Sequence, residues 1–218
     1  LYNSAEVTGL VESGERVVGV RATTADGPLE VRADLVLGTD GRRSTVREKA
    51  GFKVDTLGAP MDVLWFRLTR HAGDPVDTMG RFDPGRIFIM INRGTYWQCA
   101  YVIPKGSIEQ VRRDGLDAFR RGVATAAPFA RDRVQEIATL DDAKLLTVSV
   151  DRLPRWYRPG VLCIGVAAHA MSPVGGVGIN LAIQDAVAAA NILSAPLRER
   201  RLSVDDLGRV QERREWPV

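Results

Sequence analysis

Residues 165–180 read GVAAHAMSPVGGVGIN. They stand between an apolar run, residues 161–164, and a long alanine-rich stretch with helical spacing. Gly175, Gly176 and Gly178 crowd the point where that helix should begin. The first N–H groups of a helix have no intrahelical acceptor and carry partial positive charge. With no Cβ in the way, an anion or a polar ring can rest on them. Behind Pro173, glycines this dense favour a ligand contact over a plain turn. The unit is strand, loop, helix, so it predicts an α/β layer with a site at the carboxyl end of a buried strand.

A second unit of the same style lies near the other end. ADLVLGTDG, residues 33–41, reads as a short strand buried on both faces of a parallel sheet. It ends in a loop carrying Asp40 and Gly41, and Ser44 is placed to cap a short helix that Gly51 can end. Upstream, EVTGLVE and RVVGVRATT flank Ser13-Gly14, a hairpin signal, and Asp26-Gly27 turns the chain again.

The middle is different. VLWFRLTR alternates, and RIFIMIN and TYWQCAYVI flank Arg93-Gly94, a second hairpin. Ser107 is expected to cap a helix running to about Arg121, and Pro128 to begin another. KLLTVSVDRL reads as a returning strand. The aromatic residues Trp65, Phe66, Tyr96, Trp97 and Tyr101 are expected in the sheet core. After the glycine loop, Ile179, Ala182, Ile183, Ala186, Ala190 and Leu193 share one face of a helix reaching about Ser194. Ser203 with Asp206 three residues on opens a last helix. The expected fold is therefore α/β, with residues 1–51 and 151–218 forming one Rossmann-like domain. Residues 52–150 form an inserted α+β domain with an antiparallel sheet.

The 218 residues are 45% hydrophobic and 26% charged, enough for an ordinary globular core. A net charge of +3 is too small to imply a nucleic-acid partner. The arginine pairs lie among acidic residues on helical faces. Cys99 and Cys163 sit far apart in apolar runs, as buried reduced thiols do in a cytoplasmic protein. No apolar run is long enough to span a bilayer. The chain starts at Leu1 already in strand-like sequence, and both ends read as cut from a longer protein.

Several chemistries fail on residue type and spacing. Leu181 stands where a G-x-G-x-x-G pattern would need its third glycine after Gly176 and Gly178. Gly80 to Gly85 has the spacing of a P-loop, but Arg86-Ile87 follow. The two histidines, His71 and His169, have no partners at zinc-ligand spacing. No G-x-S-x-G elbow exists. His71 reads as surface, and His169 as a loop-fixing residue.

The two α/β units, in this order and around an α+β insert, carry a resemblance. DLVLGTDGRRSTVRE resembles the Asp-Gly motif of FAD-dependent monooxygenases related to para-hydroxybenzoate hydroxylase. GVLCIGVAAHAMSPVGGVGINLAIQDAVAAANIL resembles their second FAD motif, matching at Gly165, Ala167, Ala168, His169, Pro173, Gly176, Gly178, Asn180, Asp185 and Ala186. The resemblance implies FAD as cofactor, NADH or NADPH as electron donor, and hydroxylation of a small, often aromatic substrate with O₂. It places FAD against Asp40, Gly41, Gly165, Val166, Ala167, Pro173, Gly175, Gly176, Val177, Gly178, Ile179 and Asn180. The insert would wall the substrate pocket, and no side chain need act as a nucleophile because the flavin carries the chemistry.

Two departures stand out. The family's opening strand–GxGxxG–helix unit is not in these residues, which read as a portion following it. Val166 stands where the family has an aspartate that bonds the ribityl chain. Losing a charge-assisted hydrogen bond to a buried ligand costs about 1.5–3 kcal/mol, roughly tenfold or more in affinity. A flavin-free relic or interaction module that kept the fold is the alternative expectation.

Overall fold

The computed structural model describes residues 1–173 and 176–217. The chain divides into two compact units: Leu1–Gly58 with Ser149–Val218, and Ala59–Val148.

The first unit opens with an antiparallel three-stranded sheet, β1 (Glu6–Ser13), β2 (Arg16–Thr24) and β3 (Gly27–Arg32). Tight turns join the strands at the two glycine signals, and Val17 is fully buried. Next come β4 (Val36–Gly38), the short helix α1 (Thr45–Lys49) and β5 (Asp55–Thr56). Ser44 caps α1, its hydroxyl accepting from the Arg47 N–H at 2.9 Å. The expectation that β4 is buried on both faces is corrected. Val36 and Gly38 are buried, but Leu37 between them is 44% exposed. Successive side chains of a strand point to opposite faces, so Leu37 lies on the face away from Val36 and Gly38, and that face is exposed at this position.

The second unit is built on an antiparallel five-stranded sheet. Its strands are β6 (Met61–Thr69), β7 (Met79–Asp83), β8 (Arg86–Asn92), β9 (Tyr96–Pro104) and, later in the chain, β10 (Lys144–Leu146), in the order β10-β6-β9-β8-β7. Between β9 and β10 run α2 (Ile108–Asp114), α3 (Leu116–Ala126) and a 3₁₀ segment, Pro128–Glu136. They cover one sheet face, burying Leu64, Phe66, Leu68, Phe88, Met90 and Trp97 with Phe119 and Val123. Each fully buried Leu, Phe or Met in such a core contributes about 1.5–3 kcal/mol.

Two expectations change here. The single helix expected from Ser107 to Arg121 is two helices, broken at Gly115, whose φ of 85° and ψ of 168° no side chain tolerates well. Ser107 makes no side-chain cap; its hydroxyl donates to the Pro104 carbonyl instead. The aromatic set is also divided by the period-two pleat. Phe66, Trp97 and Tyr101 pack under the helices. Trp65 packs on the opposite face with Val63, Ala100, Ile89 and Val102, and the Arg67 guanidinium lies 4.7 Å from the Tyr96 ring centre.

The remainder of the first unit holds β11 (Asp151–Arg152), β12 (Tyr157–Arg158), β13 (Val161–Cys163), β14 (His169–Ala170), α4 (Gly178–Arg198) and α5 (Val204–Glu215). KLLTVSVDRL is thus two strands, β10 and β11, one in each unit. β13 pairs parallel with β4, Leu162 opposite Leu37, and antiparallel with β12. The capping box at Ser203 and Asp206 forms as expected. The face expected to bury α4 does so only in part: Leu193 is buried and Ala182 half-buried. Ile179 and Ile183 are 70% and 56% exposed, and Ala186 and Ala190 are exposed too. The buried positions are Asp185, Ala189, Leu193 and Pro196. Helical spacing marks an apolar stripe, but here a buried carboxylate with its own partners sets which side faces the core.

Candidate functional site

The two motifs meet at the carboxyl ends of β4 and β13, the one parallel strand pair among the described residues. The pairing runs past the strands themselves, since the Ile164 N–H donates to the Gly38 carbonyl at 3.0 Å. Immediately beyond stand Asp40 and Gly41 on one strand, and the 3₁₀ turn Gly165–Ala167 on the other. Strand ends of this kind are where open α/β sheets bind ligands.

Asp40 is exposed, and its carboxylate serves the adjoining helix. The Ser44 hydroxyl donates to Oδ1 at 2.5 Å and the Val46 N–H to Oδ2 at 3.1 Å. A Cβ added at Gly41 or at Gly176 would meet nothing within 4 Å. Both backbones therefore border free space, as a cradle for a bound ring or chain requires.

The second motif is held more tightly. Gly165 is buried at φ +59°, and a Cβ there would lie 2.9 Å from the Ala182 Cβ on α4. Only glycine lets strand and helix approach this closely in that conformation. Val166 is half-buried in the turn, Ala167 is fully buried, and the Ala168 N–H closes the turn onto the Gly165 carbonyl. Pro173 is half-buried and its carbonyl accepts from the Gly176 N–H at 3.0 Å. Val177 occupies the position before α4 and offers no side-chain cap, and Gly178, Ile179 and Asn180 form the first turn, where N–H groups have no intrahelical acceptor. Gly175 lies outside the described residues.

One side chain ties the motifs together. Arg47, on α1, donates to the Ala167 carbonyl at 3.3 Å, to Asp151 Oδ1 at 3.3 Å and to the Arg42 carbonyl at 2.6 Å. Its side chain and that of Asp151 are each 11% exposed. Neither residue was marked by the sequence as part of the site. The available signal was that Arg47 lies inside the first motif, three residues after its cap.

His169 does what the sequence expected. Buried, it donates from Nε2 to Asp185 Oδ2 at 2.6 Å, and its ring lies 5.2 Å from that of Trp156. Burial pushes the Asp185 carboxyl up, but hydrogen bonds from His169, Arg214 and the Gly165 N–H outweigh it and hold the carboxyl below its ordinary range. Asp185 is therefore ionised at neutral pH, which makes the histidine nitrogen the donor. His71 is exposed in the other unit. Both thiols are buried, and burial raises each to about 12, so neither is a nucleophile at neutral pH. No metal-ligating cluster occurs among the described residues, and no helix there is long and apolar enough to cross a membrane.

Comparison with known proteins follows the same lines. The FAD binding domain family matches residues 1–207. The 6-methylpretetramide 4-monooxygenase of Streptomyces rimosus is 38% identical over 211 residues, covering 96% of this chain and 50% of that protein. Digeranylgeranylglycerophospholipid reductase 1 of Methanopyrus kandleri is 30% identical over 217 residues, covering 94% and 54%. The fold is shared with PqsL of Pseudomonas aeruginosa, at a TM-score of 0.78 and 21% identity over 96% of this chain and 58% of that one. The chain spans about half the length of the curated relatives it matches. With one family model matched across nearly all of its residues, the chain belongs to the FAD binding domain family.

Proposed function

We propose that this chain serves in an FAD-dependent monooxygenase that takes electrons from NADH or NADPH and hydroxylates a small aromatic substrate with O₂. The observation that carries the reading is the meeting of two motifs, about 120 residues apart in sequence, at the ends of one parallel strand pair with Arg47 bonded across both. When bound, FAD supplies the redox chemistry with O₂; the protein supplies orientation, hydrogen bonds and exclusion of water.

In this reading the backbone of Gly176, Val177, Gly178, Ile179 and Asn180 faces the pyrimidine edge of the flavin. A helix N-terminus there favours the negative charge that reduction brings. Asp40 and Gly41 border the flavin from the β4 side. Gly165, Val166, Ala167 and Pro173 shape the wall opposite, with Val166 offering an apolar surface where a carboxylate would hold a hydroxyl. In the second unit, the sheet face bearing Trp65, Arg67, Tyr96 and Gln98 lines a groove of about 560 Å³ together with Glu136, Asp142 and Lys144. Aromatic faces beside an arginine and an amide suit a planar substrate with polar oxygens.

The test uses the full-length protein. Purified, it should carry a flavin spectrum, consume NADH or NADPH faster when a phenolic substrate is added, and yield a product one oxygen atom heavier. A folded protein that neither retains nor takes up FAD would give the reading to the flavin-free alternative. A product reduced rather than oxygenated would point to reductase chemistry, as in the name of the Methanopyrus relative.

A further inference from the structure

We propose that Asp185 is a positioning residue for the flavin, acting through Gly165 and His169 to hold the loop backbone in place; this rests on the flavin reading above. Aspartate is a poor residue inside a helix. A fully buried carboxylate is costly unless its lone pairs are satisfied. Asp185 is 0% exposed within α4, so the cost is incurred where packing alone would favour an alanine or leucine, the residues at the other buried turns of this helix.

Its partners explain what the carboxylate does. Oδ2 accepts from the Gly165 N–H at 2.9 Å and from His169 Nε2 at 2.6 Å. Oδ1 accepts from Arg214 Nε, on α5, at 2.7 Å. One carboxylate therefore grips the residue where the chain leaves β13 and the residue that opens β14, four positions later. Between those two grips lies the turn carrying Val166 and Ala167. α4 is itself the helix whose first turn follows the glycine loop, so Asp185 fixes the turn relative to that helix start.

The neighbours reinforce the same geometry. Gly165 already sits against Ala182, one turn before Asp185 on α4. The Trp156 ring lies beside His169, and the Trp156 N–H donates to Gln211 Oε1 on α5 at 2.9 Å. Arg214 is buried, and its Nη2 has no hydrogen-bond partner among the described residues. An arginine kept in the core with a donor unmatched is held there by the carboxylate it neutralises. An apolar residue at 185 could fill the space but could not orient the Gly165 N–H and the imidazole together.

The experiment compares the full-length holoprotein with Asp185→Asn, which keeps size and one acceptor for the Gly165 N–H but loses the charge. FAD affinity is read by titrating the apoprotein with FAD and following flavin fluorescence. The two-electron potential of the bound flavin is read separately, and the melting temperature of the apoprotein serves as control. The expected result is an FAD dissociation constant raised about tenfold and a potential moved to more negative values, as the helix start loses its fit to the reduced ring. A lower melting temperature with unchanged dissociation constant and potential would overturn the inference, leaving Asp185 a structural anchor only. Should Asp185→Asn fail to fold, His169→Phe removes one of the two loop grips while Gly165 and Arg214 keep theirs. A smaller rise in the dissociation constant is then expected, and no rise overturns the inference. A folded wild-type protein that binds no FAD sinks the flavin reading first and this inference with it.

Discussion

In the proposed flavin site, Val166 is the departure that the sequence marks for test. It sits in a turn gripped on both sides, by Asp185 through Gly165 and by Arg47 through Ala167. A side chain changed there would alter contacts at the strand ends without loosening the backbone. Val166→Asp in the full-length protein should therefore tighten FAD binding about tenfold, the worth of one charge-assisted hydrogen bond to a buried hydroxyl. Fluorescence titration measures it, and an unchanged or weaker affinity would remove any ribityl role for this position. The two thiols give a second test at this scale. Cys99 and Cys163 are fully buried and their thiols are pushed up to about 12. Neither should react with a thiol reagent at pH 8 while the protein is folded, and both should react once it is unfolded in urea. Rapid labelling of the native protein would show that one of these packed regions opens.

At the scale of the element, what was legible depended on whether the cause was local. The hairpins at Ser13-Gly14 and Arg93-Gly94, and the caps at Ser44 and Ser203, are set by residues within a few positions of each other, and each forms as the sequence indicates. The buried side of α4 was legible only at Leu193. Its apolar stripe, with Ile179 and Ile183, points outward because Asp185 must face Gly165, His169 and Arg214. The same limit applied to the site. Asp40, Gly41 and the glycine loop are contiguous motifs, whereas Arg47 meets Asp151 and Ala167 from 104 and 120 positions away. The break between α2 and α3 is an intermediate case, since Gly115 was visible but its neighbours favour helix. With its φ of 85° and ψ of 168°, Gly115→Ala should destabilise the protein by about 1–3 kcal/mol. A urea melt reads this directly, and an unchanged midpoint would mean the two helices can join without loss.

For the whole molecule, both units rest on buried carboxylates, so acid should undo them in a defined direction. In the second unit, Asp74 accepts from Arg133 through both terminal nitrogens and from the Trp97 indole N–H. The Arg133 hydrogen bonds hold its carboxyl well below the usual range. Asp62 in the same unit is lowered too, burial being outweighed by hydrogen bonds from the Gly106 N–H, Lys105 and the Val148 N–H. In the first unit Asp185 is lowered in the same way. An unfolded aspartate titrates near pH 4, so each carboxylate binds its proton more readily unfolded than folded. Stability from these groups is then complete above about pH 5 and falls as pH drops through 4 toward the folded values. The melting temperature should be flat from pH 7 to about 5 and decline steeply below 4. Asp74→Asn separates this from a general acid effect. Removing the charge leaves the buried Arg133 with only the exposed Asp132 as carboxylate partner, a loss of about 3 kcal/mol at pH 7. Because asparagine does not titrate, the variant's acid slope should be shallower than that of the wild type. Parallel slopes in the two proteins would show that the Asp74–Arg133 pair contributes nothing to the acid response.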